Sequence, residues 1–268
     1  MRSFGNCPLC NCNDLKKVYN RKWVRSSFVK CKHCSLIFQN PQEDQGKTSE
    51  RYGQEYFDYE KKNETNFFHL IELTLNDFNI FSLIPEKSDI LEIGCATGLF
   101  LKFMKEKGYN PVGVEICGDS AEYGIKNHGV NILNCRLEEA VFDRQFDFIH
   151  FSHLIEHLND PFSFLKIVYG LLKPGGYAVV TTPNSSGIFA DIFYEDWRCI
   201  VDDHLFLFNK SNLKRCVNDA GFDICDIRTW GGIPAGKYIK LLKRFSDRFV
   251  KLTGTGDVVS FLITRKTV

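Results

Sequence analysis

DILEIGCATGLFLKFMKEKGYNPVGVEI, residues 89–116, is the stretch on which the fold turns. Residues 89–93 form a short apolar run that ends at a glycine. Residues 94–98 hold two glycines in five positions, and 99–108 carry apolar residues at three- and four-residue spacing before another glycine. The pattern predicts a buried strand, a tight turn and an amphipathic helix with a glycine stop. Residues 109–116 then read as a second apolar strand ending near Glu115. Strand, helix and strand in so short a span make a parallel βαβ unit. Ligands of such sheets bind beyond the C-terminal strand ends, so the turn at 92–98 and Glu115 are the first candidates for a site. A dinucleotide fingerprint would need G-x-G-x-x-G opening the helix. Here Ala96 fills the middle slot and Leu99 follows Gly98 at once, which disfavours a pyrophosphate and hence hydride transfer.

The same alternation continues outward. VNILNC and FDFIHFS read as strands, DPFSFLKIVYGLLKPGG as a helix begun by Asp-Pro and stopped by Pro-Gly-Gly, and YAVVTTPN as a fifth strand. SNLKRCVNDAGF is a serine-capped helix, DICDIRTW a strand, AGKYIKLLKRFSDRFVKL a basic amphipathic helix and GDVVSFLITRK a last strand. The fold class expected is α/β, a mainly parallel seven-stranded sheet with helices on both faces. Upstream, residues 41–50 read as a polar linker and residues 51–84 have helical spacing. The expected division is 1–40, 41–84 and 85–268, with 185–210 as a long aromatic insertion after the fifth strand, suited to a substrate lid.

Residues 7–34 stand apart: C-x2-C, twenty residues, then C-x2-C. Two such knuckles can close one tetrahedral four-thiolate site, so Cys7, Cys10, Cys31 and Cys34 are expected to hold structural zinc in a small ribbon, with Cys12 and His33 as nearby alternative ligands. A segment this short depends on the metal for folding energy. The ribbon is basic, yet the whole chain carries a net charge of only +1, so nucleic acid is not an expected partner. Eleven cysteines, an odd number, with no apolar leader in MRSFGNCPLC, speak for a cytoplasmic chain without a disulfide framework. With 44% apolar and 25% charged residues, and no apolar run near ~20 residues, a packed globular protein without a membrane span is expected.

Taken together, DILEIGCATGLFL, GVEI, FDFIHFSHLIEHLNDP, LLKPGGYAVVTTPN and DDHLFLFNKSNLKRCVNDAGF resemble a class I, Rossmann-like, S-adenosylmethionine-dependent methyltransferase with an N-terminal zinc ribbon. The core is similar to ubiquinone-biosynthesis O-methyltransferases. The resemblance implies that Glu92, Gly94, Cys95, Ala96, Thr97 and Gly98 hold the cofactor's methionine end. It implies that Glu115 binds the ribose diol, Ile116 covers the adenine, and Leu137, Glu138 and Phe151 complete the pocket. Tyr52, Tyr56 and Phe57 match an aromatic segment that caps the cofactor. A carboxylate such as Glu115 can accept two hydrogen bonds from a diol, which agrees with that role.

FSHLIEHLND, residues 151–160, carries His153, Glu156 and His157 in an H-x-x-E-H pattern that also occurs in zinc peptidases. Its place after the fourth strand of a methyltransferase core argues against peptidase chemistry. Two readings stay open. His157 or His153 can act as the base for an acceptor hydroxyl, or His153, Glu156 and His157, joined by His204, can hold a second divalent metal. The activity implied is O-methylation of a small-molecule acceptor, with a sugar of a surface polysaccharide placed first. The alternatives are C-methylation of a nucleotide sugar, a quinone-type O-methylation, or RNA modification. Trp197 and Arg198 are further lid candidates. The basic helix at 237–252 allows peripheral contact with a membrane carrying a lipid-linked acceptor, although packing against the sheet is the simpler reading.

Overall fold

A computed structural model describes residues 1–19, 24–42, 53–233 and 239–266. Near the N-terminus lie three short strands, β1 (Leu15–Val18), β2 (Phe28–Cys31) and β3 (Ile37–Gln39). Each cysteine knuckle ends the same way: Asn11 and Ser35 take left-handed backbone, and their N–H groups donate to the Cys7 and Cys31 carbonyls at 2.9 Å. Those turns fold both cysteine pairs toward one point.

Helices α1 (Gln54–Asp77) and α2 (Ile80–Leu83) follow, so most of the helical spacing upstream of the core belongs to one 24-residue helix. The sheet begins with β4 (Asp89–Ile93), and α3 (Leu99–Glu106) leads to β5 (Asn110–Val114). Next come α4 (Gly118–Tyr123), β6 (Ile132–Leu133) and β7 (Phe146–Ser152). Helix α5 (Pro161–Leu171) starts where Asp160 accepts the Ser163 N–H, with Pro161 in its first turn, and runs into β8 (Leu172–Pro183). The chain ends with α6 (Ile188–Phe193), β9 (Phe206–Leu207), α7 (Lys210–Asp219), β10 (Asp223–Trp230), α8 (Lys240–Thr253) and β11 (Val258–Thr264).

Seven strands form one sheet in the order β10-β11-β8-β7-β4-β5-β6. The pairs from β8 to β6 are parallel, and β11 is antiparallel to both its neighbours. Strands β4, β5, β7, β8 and β10 therefore all point their C-terminal ends to one edge. The strand order reverses across β4, so the crevice for a ligand opens there, beside the turn at 94–98. Gly113 on β5 permits this turn to close. A Cβ there would lie 2.5 Å from the Cys95 sulfur and 2.6 Å from Leu101.

The cysteine region's strands belong to a four-stranded sheet, β1-β2-β3-β9, whose fourth strand comes from far along the chain. Strand β9 lies inside the 185–210 insertion, and it pairs antiparallel with β3 of the cysteine region, Ile37 opposite Leu207 and Phe38 opposite Phe206. Leu36 and Phe38 join the same buried cluster as Phe206, Phe208, Leu213 and the strand residues Ile149 and Phe151. The cysteine region is thus packed into the main core, and burial of Phe38 and Leu36 stabilises it by about 2 kcal/mol for each side chain.

Candidate active site

The turn after β4 is held open by its backbone. Gly94 and Gly98 have φ of 71° and 74°, and Ala96 has φ of 49°, in the region that a Cβ disfavours. The Gly94 and Cys95 N–H groups donate to the Val114 carbonyl, and the Ala96 N–H donates to Glu115 Oε2 at 2.9 Å. Glu115 Oε1 accepts from the Cys117 N–H at 2.8 Å. Two backbone donors therefore aim this buried carboxylate. A carboxylate has about four acceptor sites, so two remain for a diol. Burial pushes the Glu115 pKa up, against those two N–H groups and the nearby Ile116 N–H.

Glu92, on β4, is buried, and its Oε1 lies 3.2 Å from His150 Nδ1. Its second oxygen, Oε2, and His150 Nε2 are buried without a hydrogen-bond partner among the described residues. An orphaned buried carboxylate oxygen beside a glycine turn suits the ammonium end of an amino-acid-bearing cofactor. Burial and the nearby Glu115 charge hold the Glu92 pKa well above the usual carboxylate range. Ile116 is half-buried, and Asn134 donates to both the Glu115 and Ile116 carbonyls. Leu137 is buried and Glu138 exposed in a single helical turn after β6.

Phe151 lies elsewhere than the sequence implied. Side chains alternate along β7, so His150 meets Phe100 and Glu92 on one face. Phe151 points to the other face and packs edge-on against Phe164 of α5, with ring centroids 5.2 Å apart. Trp197 is also a correction: it is fully buried and donates from Nε1 to Asp257, so it braces the insertion and has no face for a substrate. Arg198 lies 3.9 Å from the same Asp257. Tyr52 falls outside the described residues. Phe57 packs against Tyr123 of α4.

Helix α1 brings in residues that sequence reasoning missed. Glu64 accepts from Thr97 Oγ1 at 2.7 Å, and Glu60 accepts from Ser120 Oγ at 2.5 Å. Glu60 is buried and faces Glu115. Burial first, and the Glu115 charge second, raise its pKa to about 7. Only a polar residue recurring on the buried stripe of α1 could have signalled this, and on sequence grounds it looked like ordinary helix surface.

Beyond β7 the H-x-x-E-H segment forms a single 3-10 turn, Ile155–His157, and so departs from the α-helix that would align two histidines. His153 takes left-handed backbone (φ 52°), with its N–H bonded to the Thr181 carbonyl. Glu156 is fully buried between His153 Nδ1, at 3.2 Å, and Thr182 Oγ1, at 2.8 Å. Burial alone would raise its pKa, but the His153 hydrogen bond and the surrounding imidazoles bring it down to about 2, so it is ionised.

His157 Nδ1 lies 2.9 Å from the Asp203 carbonyl, and His204 Nδ1 lies 2.8 Å from the Cys199 carbonyl. A carbonyl can only accept, so each Nδ1 carries a proton, and Nε2 is the nitrogen of each ring left to face a ligand or an acceptor. The two rings stand 4.8 Å apart. One ligand atom from each of Glu156, His157 and His204 lies within 4.8 Å of the others. Burial holds the His204 pKa at about 4, so its ring is neutral.

The cysteine region fastens the loop that carries His204. Gln39, buried at the end of β3, donates from Nε2 to the Asp202 and His204 carbonyls at 2.7 and 3.0 Å. Its backbone N–H donates to the Leu205 carbonyl, and the Ser26 N–H donates to Asp202. Across the ribbon, Cys7 and Cys34 sulfurs are 3.5 Å apart, as are those of Cys10 and Cys31. Four thiolates around one zinc would stand about 3.8 Å apart, so the set fits the ion with little movement. Cys12 and His33 are not members of the cluster.

A family model for a methyltransferase domain matches residues 59–227. The ubiquinone biosynthesis O-methyltransferase of Rickettsia felis is 28% identical over 121 residues, 43% of this chain and 48% of that protein. That of Nitrosospira multiformis is 29% identical over 154 residues, covering 52% and 64%. The chain thus spans about half to two thirds of the length of these curated relatives. Among solved structures, an S-adenosylmethionine-dependent methyltransferase from Archaeoglobus fulgidus superposes with a TM-score of 0.56 at 22% identity, covering 78% of this chain and 99% of that one.

Proposed function

This chain belongs to the methyltransferase-domain family, and from that premise we propose that it moves a methyl group from S-adenosylmethionine to a hydroxyl of a small polar acceptor. The observation that carries the reading is the meeting, at one sheet edge, of a glycine turn backed by Glu92 and Glu115 with His157 and His204, whose Nδ1 atoms are each held on a backbone carbonyl. When bound, S-adenosylmethionine supplies a methyl group on a sulfonium, an electrophile whose leaving group is a neutral thioether. Glu92, Thr97 and the turn at 94–98 would hold its amino-acid end, and Glu115 its ribose.

His157 is the base in this reading. Its Nδ1–H is fixed on the Asp203 carbonyl, so Nε2 is turned out to take the acceptor's proton. The ionised Glu156 beside it stabilises the imidazolium that results. His153 holds Glu156, and neutral His204 stands with its ring beside that of His157. The same Glu156, His157 and His204 set also favours a second reading, a divalent-ion site of mixed nitrogen and oxygen donors that would lower the hydroxyl's pKa.

The two readings part in one experiment. Under the base reading, His157→Ala keeps cofactor affinity and loses turnover by ~10²–10⁴-fold, and chelator-treated wild type shows no response to added Mg²⁺ or Zn²⁺. Activity that tracks the added ion would replace it with the metal reading.

The acceptor in this proposal is a hydroxyl on a ring. The sequence favoured a sugar of a surface polysaccharide, whereas the relatives are named for quinone-type O-methylation. A donor-consumption screen with catechols against nucleotide sugars distinguishes them. Cys7, Cys10, Cys31 and Cys34 bind one structural zinc in the same proposal, and metal analysis of Cys7→Ser/Cys10→Ser should find it lost.

A further inference from the structure

We propose that α8 is a membrane-docking helix that seats this protein on an anionic lipid surface. Of its fourteen residues five are basic and one is acidic, in a chain whose net charge is only +1. The helix does not bury its apolar side against the sheet. Val250 is its one buried residue. Leu241, Leu242, Phe245, Phe249 and Leu252 recur at three- and four-residue spacing, yet they are 60%, 47%, 64%, 52% and 77% exposed. Ile239, just before the helix, is 71% exposed. No other described helix presents so large a run of exposed apolar side chains.

The attachment to the protein uses polar groups. The Val250 carbonyl accepts from Thr229, the Ser246 hydroxyl accepts from the Ile233 N–H, and Asp247 accepts from the Gly232 N–H. Lys243 is paired to Asp247, and Lys251 to Asp77 of α1. Lys240, Arg244 and Arg248 have no ion pair among the described residues. Arg244 and Arg248 lie one position before Phe245 and Phe249, so they border the apolar stripe. Exposed aromatic and leucine side chains flanked by basic groups match a helix lying in the plane of a bilayer, with its apolar side in the acyl boundary and its cations on lipid phosphates. The charge selects an anionic bilayer over a neutral one. No described helix is long and apolar enough to cross a membrane, which agrees with an in-plane seat.

The position relates this surface to the site. Strand β10 ends at the ligand edge of the sheet, and Gly232 and Ile233 just beyond it bond to α8. The loop after α8 is bonded to the insertion: the Thr255 carbonyl accepts from the Ile188 N–H, the Asp257 carbonyl from the Asn184 N–H, and the Asp257 carboxylate from Trp197. The docking surface and the insertion that carries His204 thus share one hydrogen-bonded frame. The inference rests on the helix alone and stands apart from the reading of the chemistry.

Flotation of the full chain with vesicles tests it. Phosphatidylcholine vesicles containing a third phosphatidylglycerol should carry the protein at low salt, and pure phosphatidylcholine should carry little. Arg244→Gln/Arg248→Gln should weaken partition by about thirty-fold. Phe245→Ser/Phe249→Ser should abolish it, while thermal melts and S-adenosylmethionine titrations of both variants match wild type. Equal partition to both vesicle types, or none to either, overturns the proposal. So does a dimer in light scattering that Phe245→Ser/Phe249→Ser dissociates without any vesicle binding, since a second copy would then cover the face.

Discussion

Replacing Glu60 by Gln should stabilise the protein, and by an amount that grows with pH. Glu60 sits under α1 with Ser120 and Glu115, and its pKa stands at about 7 against a usual 4.5. Above pH 7 that difference corresponds to about 3 kcal/mol of stability withheld. The folded-state pKa is the higher one, so the folded protein holds the proton more tightly. The contribution is complete below pH 4.5 and is lost as pH rises through 7. Between pH 5 and pH 8 wild type should lose roughly 2–3 kcal/mol from this one group. Glutamine cannot ionise, and its carbonyl can still accept from the Ser120 hydroxyl. The assay is urea unfolding of wild type and Glu60→Gln at pH 5, 6, 7 and 8. The variant's advantage should be about 1 kcal/mol at pH 5 and about 3 kcal/mol at pH 8. A constant difference across that range, or a wild type that gains on the variant above pH 7, would refute the claim that α1 presses a buried carboxylate against Glu115.

Two further outcomes follow from the frame around the site. Ala96 holds left-handed backbone where glycine is at ease, so Ala96→Gly should raise stability by about 0.5–1 kcal/mol, read as a higher Tm; a lower Tm would show that the Ala96 methyl is packed. Gln39→Ala leaves the Asp202 and His204 carbonyls without their donor and should cost about 2 kcal/mol. It should lower kcat with the S-adenosylmethionine Kd unchanged, and a matching loss of cofactor affinity would mean that Gln39 acts through the whole fold.

Most of the sheet was legible because its strands are short apolar runs bounded by glycine, proline or a helix cap. Residues 89–116 and the Asp160-Pro161 helix start are local signals, and they appear where local physics puts them. The cysteine quartet was legible for the same reason, since its spacing is itself the signal. Hidden were the contacts between parts distant in sequence. Strand β9 is two residues long and owes its extended form to β3, more than 160 positions earlier, so no periodicity announces it. In sequence Gln39 is only a polar residue next to a linker, and Glu60 only one charge among several in a helical segment. The amphipathic period of α8 was plain, but a period says only that one side is apolar and leaves open what covers it. Trp197 and Phe151 were misjudged because an aromatic in a promising segment can face the core as readily as a ligand.

The central claim is that the turn at 94–98, with Glu92 and Glu115, holds S-adenosylmethionine. Isothermal titration of the intact chain with S-adenosylmethionine, beside Glu115→Ala, addresses it most directly. The account expects one site per chain in wild type and a loss of at least ten-fold in affinity when the two backbone-aimed oxygens of Glu115 are removed. Absence of binding in wild type, or an affinity that Glu115→Ala leaves unchanged, would contradict it.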